Sequence, residues 1–200
     1  MLAIAGCGYF RPANAPQPTQ SLPPGNYSRP DATLQTMNIG LSAKSSAGGS
    51  LYLSAFAEST TTSTPAYHQL FDPVDVVDWS GGVPGDWERT REQRLYNYLV
   101  QLRPDDAYFL NWEDGLVTDD PPDEVNGIAV VHRHYEIITT NEQTSASTVI
   151  AIGYAKLTFL RDDQDRWLIV RWEDSRDSEA DPNEQEQVSL GRRRLLSQSG

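Results

Sequence analysis

A chain of 200 residues, 38% hydrophobic and 22% charged, has room for one folded domain with tails around it. Its formal charge of -12 argues against nucleic acid as a partner, since phosphate binding needs a basic surface, and Arg192-Arg193-Arg194 is the one cationic run. No stretch approaches the roughly 20 apolar residues that span a bilayer as a helix.

The chain opens Met1-Leu2-Ala3-Ile4-Ala5-Gly6-Cys7 and holds a single cysteine, so no intramolecular disulfide forms. An aliphatic residue, two small residues and then Cys is the order a lipoprotein signal peptidase requires. The thiol takes the lipid, and small neighbours give access to the bond. Ile4-Ala5-Gly6-Cys7 resembles that site, which implies lipid attachment at Cys7 and removal of residues 1–6. A complete signal peptide has a basic start and a longer apolar stretch, so the true start is expected further upstream. Gly8, rather than Asp, follows the cysteine. In an organism with two membranes that implies the outer one, with the domain facing the periplasm.

Residues 8–30 carry Pro12, Pro16, Pro18, Pro23, Pro24 and Pro30. This composition predicts an extended tether, reaching roughly 70 Å at about 3.1 Å per residue. Leu34, Met37 and Leu41 share one helical stripe, with Asp31 as its N-cap and Gly48-Gly49 as its stop. Ser50 is expected to cap a second helix, Leu51 to Glu58, burying Tyr52, Leu53 and Phe56. A polar loop follows from Thr60 to Pro65. Tyr67 to Val77 reads as a short strand broken at Pro73. A third helix, capped by Asp86, runs from Trp87 to Leu102 with Leu95, Tyr98, Leu99 and Leu102 on one face. Strands are predicted at Ala107–Glu113, Asn126–Thr140, Thr144–Arg161 and Arg166–Ser175, with turns at Asn141-Glu142 and Asp162 to Asp165. Residues 176–200 read as a polar, disordered tail, within which Val188 to Leu196 has the makings of a short docking segment.

Helices first and an antiparallel meander second predict an α+β domain over residues 31–175, with N-terminal helices packed on a curved antiparallel sheet. The run Ala155 to Asp162 followed by Arg166 to Asp174 resembles the last hairpin of the nuclear-transport-factor-2-like family. Leu51-Tyr52-Leu53-Ser54-Ala55-Phe56, then Phe71-Asp72-Pro73, is similar to its second helix and first strand. The resemblance implies a cone in which a bent sheet wraps around helices. Some bacterial lipoproteins of unknown function carry such a domain after a Pro-rich tether, and this chain resembles them.

Side chains alternate along strands, so the hairpin turns sort residues by face. Turns centred near 142 and 163 set residue 134 opposite 150, 132 opposite 152, 157 opposite 170 and 155 opposite 172. The apolar face then carries Ala151, Gly153, Ala155, Leu157 and Phe159, with Leu168, Val170 and Trp172 beside them. His132, His134 and Glu136 fall on the outer face. They read as a polar strand surface rather than a zinc site, which needs three or four converging ligands. No metal is expected. No Gly-rich phosphate loop or nucleophile motif occurs, so no cofactor is expected either.

The candidate site residues are Arg133, Tyr135, Trp172 and Asp174, polar or aromatic groups on the apolar face beside the small Ala151 and Gly153. Arg133 and Asp174 are expected to meet as a buried pair across those small residues. Anchor and tether point to an envelope lipoprotein whose domain binds a protein partner or a small ligand without catalysis. The alternative implied by the cone is an isomerase or dehydratase with Asp174 as general base. A filled cone favours the first reading, and an open cavity with Asp174 unpaired favours the second.

Overall fold

Pro30 opens the first helix of the computed structural model, which describes residues 21–58, 65–77, 79, 87–178 and 188–198. Helix α1 (Pro30–Ala43) starts one residue earlier than its predicted cap, because Pro at the first helical position comes already set at the required φ. Arg29 is the N-cap, and Asp31 sits in the first turn. Leu34, Met37 and Leu41 are buried as the periodicity predicts. Lys44 ends the helix in the left-handed conformation at φ 47, and its N–H returns to the Leu41 carbonyl.

Gly48-Gly49 does not stop this helix; it lies inside α2 (Ser46–Leu53), which Ser45 caps by accepting from the Gly48 N–H at 3.0 Å. The predicted cap, Ser50, is mid-helix. The glycines serve close packing instead. A Cβ on Gly48 would stand 2.5 Å from the Gly40 carbonyl, and one on Gly40 would stand 2.5 Å from the Tyr52 nitrogen.

The segment expected to be one broken strand is β1 (His68–Leu70) followed by a short helix, α3 (Pro73–Val77). Pro73 begins that helix, and Asp72 accepts from the Val74 N–H at 2.8 Å. Helix α4 (Arg89–Leu102) buries Leu95 and Leu99. Asp86, its predicted cap, lies outside the described residues. Four long strands follow, β2 (Asp106–Asp114), β3 (Ile128–Asn141), β4 (Ser147–Arg161) and β5 (Trp167–Arg176). Among the described residues they form one sheet in the order β1-β5-β4-β3-β2, antiparallel except where β1 runs parallel to β5.

The register differs from the expected one, yet the faces survive. His134 faces Tyr154 and His132 faces Lys156, while Leu157 faces Trp172 and Ala155 faces Asp174. Both hairpins are displaced by an even number of positions, so the sorting by face holds for most residues. Bulges break it locally. One lies between Ile137 and Ile138; the other, between Thr158 and Phe159, sets Phe159 opposite Ile169. Ile169 is therefore fully buried, and Val170, expected in the core, is half-buried.

The expected tail is partly an element. Ser189 caps α5 (Leu190–Leu196), accepting from the Arg192 N–H, and Leu190, Arg193, Arg194 and Leu195 are buried. This is the docking segment expected at Val188 to Leu196; what the sequence hides is the burial of its arginines, because their partners lie elsewhere in the fold. Residues 179–187 lie outside the described residues. The end of the expected tether also packs on the domain. Trp167 donates its N–H to the Tyr27 carbonyl at 2.8 Å, and Asn26 donates its N–H to the Thr36 hydroxyl at 2.9 Å. Residues 8–20, and Cys7 with them, lie outside the described residues. No helix among the described residues is long and apolar enough to cross a membrane.

Candidate functional site

Three of the four candidate residues converge inside the cone, and the fourth does not. The middle strand β4 presents Ala151, Gly153 and Ala155 to the interior, all buried. The Tyr135 ring lies over the vacant position at Gly153, where a Cβ would come within 2.6 Å of its hydroxyl oxygen. That hydroxyl donates to Asp174 Oδ1 at 2.8 Å and accepts from the Leu190 N–H at 2.7 Å. Trp172 Nε1 donates to the same Oδ1 at 3.2 Å, and the Gly191 N–H donates to Oδ2. Trp112, Tyr135 and Trp172 form an aromatic trio with ring centres 5.7 to 6.1 Å apart.

The expected Arg133–Asp174 pair is not formed. The two residues do flank Ala155 on the inner face, so the geometry that suggested them is real. Tyr135 fills the gap over the small strand instead. Arg133 turns away, donating from one amine to both Asp119 oxygens at 2.8 Å and from the other to Asp31 Oδ1 at 2.9 Å. Carboxylates at the start of α1 and in the loop after β2 satisfy it without crossing the sheet.

A second cluster escaped the sequence reading. Glu92 and Arg194 are each fully buried, and Arg194 Nε donates to Glu92 Oε1 at 2.7 Å. The same oxygen accepts from Trp87 Nε1 at 2.8 Å and the Tyr67 hydroxyl at 3.0 Å, while Tyr52 donates to Oε2 at 3.3 Å. The Arg194 guanidinium lies 4.4 Å from the centre of the Trp172 ring. Beside α5, Asp75 accepts from the Ser189 hydroxyl and from Arg176 Nε at 2.7 Å. A signal for Glu92 was present. It shares the helical stripe of Leu95 and Leu99, and a carboxylate in an apolar stripe needs a partner. Arg194 carries the matching signal, lying four residues after Leu190 and next to Leu195.

Burial pushes Asp174 up to about 6 from an ordinary 3.8, against the Arg194 charge and the bonds from Tyr135 and Gly191, with Asp75 adding to the rise. Burial also drives the Tyr52, Tyr67 and Tyr135 hydroxyls well above their ordinary range, with nearby carboxylates reinforcing the effect. For Arg194 burial works against the charge, but the Glu92 carboxylate beside it outweighs burial and holds the guanidinium protonated.

His132 and His134 point to the outer face. His134 Nε2 meets Asp177 Oδ2 at 3.0 Å and its ring packs 4.9 Å from Tyr154. A hollow of about 500 Å³ opens between α2 and α4, lined by Leu53, Ala57, Tyr67, Arg89 and Gln93 among others. A second, of about 380 Å³, surrounds Arg133.

No protein-family model and no curated protein sequence matches this chain. Solved structures do resemble it in shape. A Mycobacterium tuberculosis protein of unknown function aligns with TM-score 0.53 at 11% identity, over 84% of this chain and 90% of that one. ActVI-ORFA from Streptomyces coelicolor aligns with TM-score 0.52 at 8% identity, over 72% and 91%. A scytalone dehydratase-like protein from Novosphingobium aromaticivorans aligns with TM-score 0.51 at 13% identity, over 81% and 91%. The fold is the nuclear-transport-factor-2-like cone. At such identities the likeness carries the fold and no activity. In this chain the cone is filled, with α5 laid against the inner face and Arg194 stacked on Trp172.

Proposed function

We propose that this chain is a lipid-anchored envelope protein whose cone domain recognises a protein partner or a small ligand and does no chemistry at Asp174. The observation that carries this reading is the state of that carboxylate. Asp174 is 4% exposed, and both of its oxygens accept hydrogen bonds from groups of the fold. A general base must lie within hydrogen-bond reach of the proton it takes, and α5 covers this carboxylate inside the cone, its Gly191 N–H bonding Asp174 and its Leu190 N–H bonding Tyr135. The hollow between α2 and α4 supports recognition, since its volume lies within the roughly 300–1,000 Å³ of ligand sites.

One observation favours the alternative, an isomerase or dehydratase. A proton affinity of about 6 suits Asp174 to acid–base work near neutral pH. Access decides between the two readings. Photo-crosslinking residues at Leu53, Glu58 and Gln93 of the full chain, in bacterial cells, test the outcome. A discrete adduct that persists in Asp174→Asn is expected. Its absence at all three positions, or a turnover abolished by Asp174→Asn, refutes the reading.

The anchor rests on the Ile4-Ala5-Gly6-Cys7 pattern and the prolines behind it, and Gly8 in place of Asp after the cysteine supports the outer membrane, with the domain facing the periplasm, in an organism with two membranes. Metabolic labelling with an alkyne analogue of palmitate is expected to mark the wild type and not Cys7→Ser. Unlabelled, membrane-derived wild-type protein would end the anchor proposal.

A further inference from the structure

Arg194 enters the cone as a ligand would. Its guanidinium stacks on Trp172 and its Nε meets Glu92, which Tyr52, Tyr67 and Trp87 hold in place. Both terminal nitrogens of the guanidinium are buried without a hydrogen-bond partner. Only one N–H of the five is therefore satisfied. A charged donor left unpaired in a low-dielectric interior is costly, so the insertion gains a strong charge interaction and forfeits part of it. An element held in this way is a better candidate for exchange than the sheet it rests on.

The rest of α5 shows what kind of ligand the interior reads. The Val188 carbonyl accepts from the Ile152 N–H at 3.0 Å, and the Leu190 and Gly191 N–H groups bond to Tyr135 and Asp174. These are contacts to peptide backbone. A Cβ at Gly191 would come within 2.7 Å of Asp174 Oδ2, so that position demands glycine. Leu190 and Leu195 are buried on either side of Arg194. The flat Trp172 face selects a planar guanidinium over a compact ammonium.

We propose that the cone interior is a binding site for an arginine-bearing peptide of the form Leu-Gly-x-Arg-Arg-Leu, since Arg193 is also buried and donates to the Ile150 carbonyl at 2.7 Å; the site is occupied by the chain's own residues 190–195 and open to exchange with such a segment supplied in trans. The proposal rests on the reading of the cone domain as a recognition module, and it adds a site in the interior to the hollow between α2 and α4. Its test uses the full chain carrying Arg194→Ala, which vacates the guanidinium position, and a synthetic peptide of residues 188–198 as probe. Calorimetry is expected to show saturable binding at one peptide per chain, at least about tenfold tighter than for the same peptide with Arg194→Ala or with Gly191→Ala. Equal affinity for the three peptides, or no binding, overturns the site.

Should Arg194→Ala fail to fold, hydrogen exchange of the wild type tests the same site. The Leu190 and Gly191 amides are expected to exchange at least about tenfold faster than those of Ala155 and Leu157, as a separately opening unit does. Equal rates overturn the exchangeable occupant. A cross-linked envelope partner together with a peptide that fails to bind would leave the recognition reading standing and remove this site. Peptide binding without any envelope adduct would leave this site standing and remove the hollow between α2 and α4 as the recognition surface.

Discussion

A side chain at position 153 would collide with the Tyr135 hydroxyl on one side and the Ser175 carbonyl, at 2.7 Å, on the other. Gly153→Ala is therefore expected to destabilise the domain by about 1–3 kcal/mol, the range for an overpacked core, as read by urea unfolding. Tyr135→Phe removes the one hydroxyl that serves both Asp174 and the Leu190 N–H. Leaving buried groups unpaired costs about 1–3 kcal/mol each, so a loss in that range is expected, with α5 amides becoming the faster to exchange. A neutral result would mean that α5 does not depend on this bridge. Asp174 adds a pH signature. Its folded value near 6 lies above the ordinary 3.8, so the folded chain holds a proton that the unfolded chain has lost between roughly pH 4 and 6. This contribution is fully present below about pH 4 and is lost as pH rises through about 6. A shift of about two units corresponds to about 3 kcal/mol. The stability of wild type minus that of Asp174→Asn should fall by about that amount from pH 4 to 7, and a flat difference would sink the assignment.

Among the elements, α5 carries a fully buried ion pair, Arg194 with Glu92, beside its bonds to Tyr135, Asp174 and Asp75. Glu92→Gln strands the Arg194 charge in the interior and is expected to cost about 3–5 kcal/mol. Glu92→Leu with Arg194→Met should recover part of that loss, measured as a double-mutant cycle; full additivity would show that the pair is not coupled. The strands and α4 are legible in the sequence because period-2 and period-3.6 patterns survive any tertiary context. Gly48-Gly49 suggests a stop because glycine signals both helix ends and close helix contact, and only the positions of Gly40 and Tyr52 distinguish them. The register is harder to read. Turn residues mark a turn within a few positions, while two bulges that no motif announces move the pairing.

Across the fold, Arg133 and Asp174 belong to separate networks on either side of β4. Arg133→Met and Asp174→Leu are expected to act independently, with a coupling within about 0.5 kcal/mol. A larger coupling would restore the pairing that strand parity alone suggested. The cone is implied by the family resemblance, while the α+β class, the inner face of the sheet and three of the residues that meet there can be read from the sequence itself. They follow from local periodicity and the alternation of side chains, which depend on near neighbours along the chain. The partners those residues take come instead from tertiary packing. Tyr135 reaches Asp174 because Gly153 leaves the gap open, and Arg133 finds Asp31 and Asp119 closer. Arg194 is buried because α4 carries Glu92 to meet it from about a hundred residues away along the chain. Long-range charge pairing leaves no periodic trace, since the partner's position is set by how the elements pack and not by the spacing of residues.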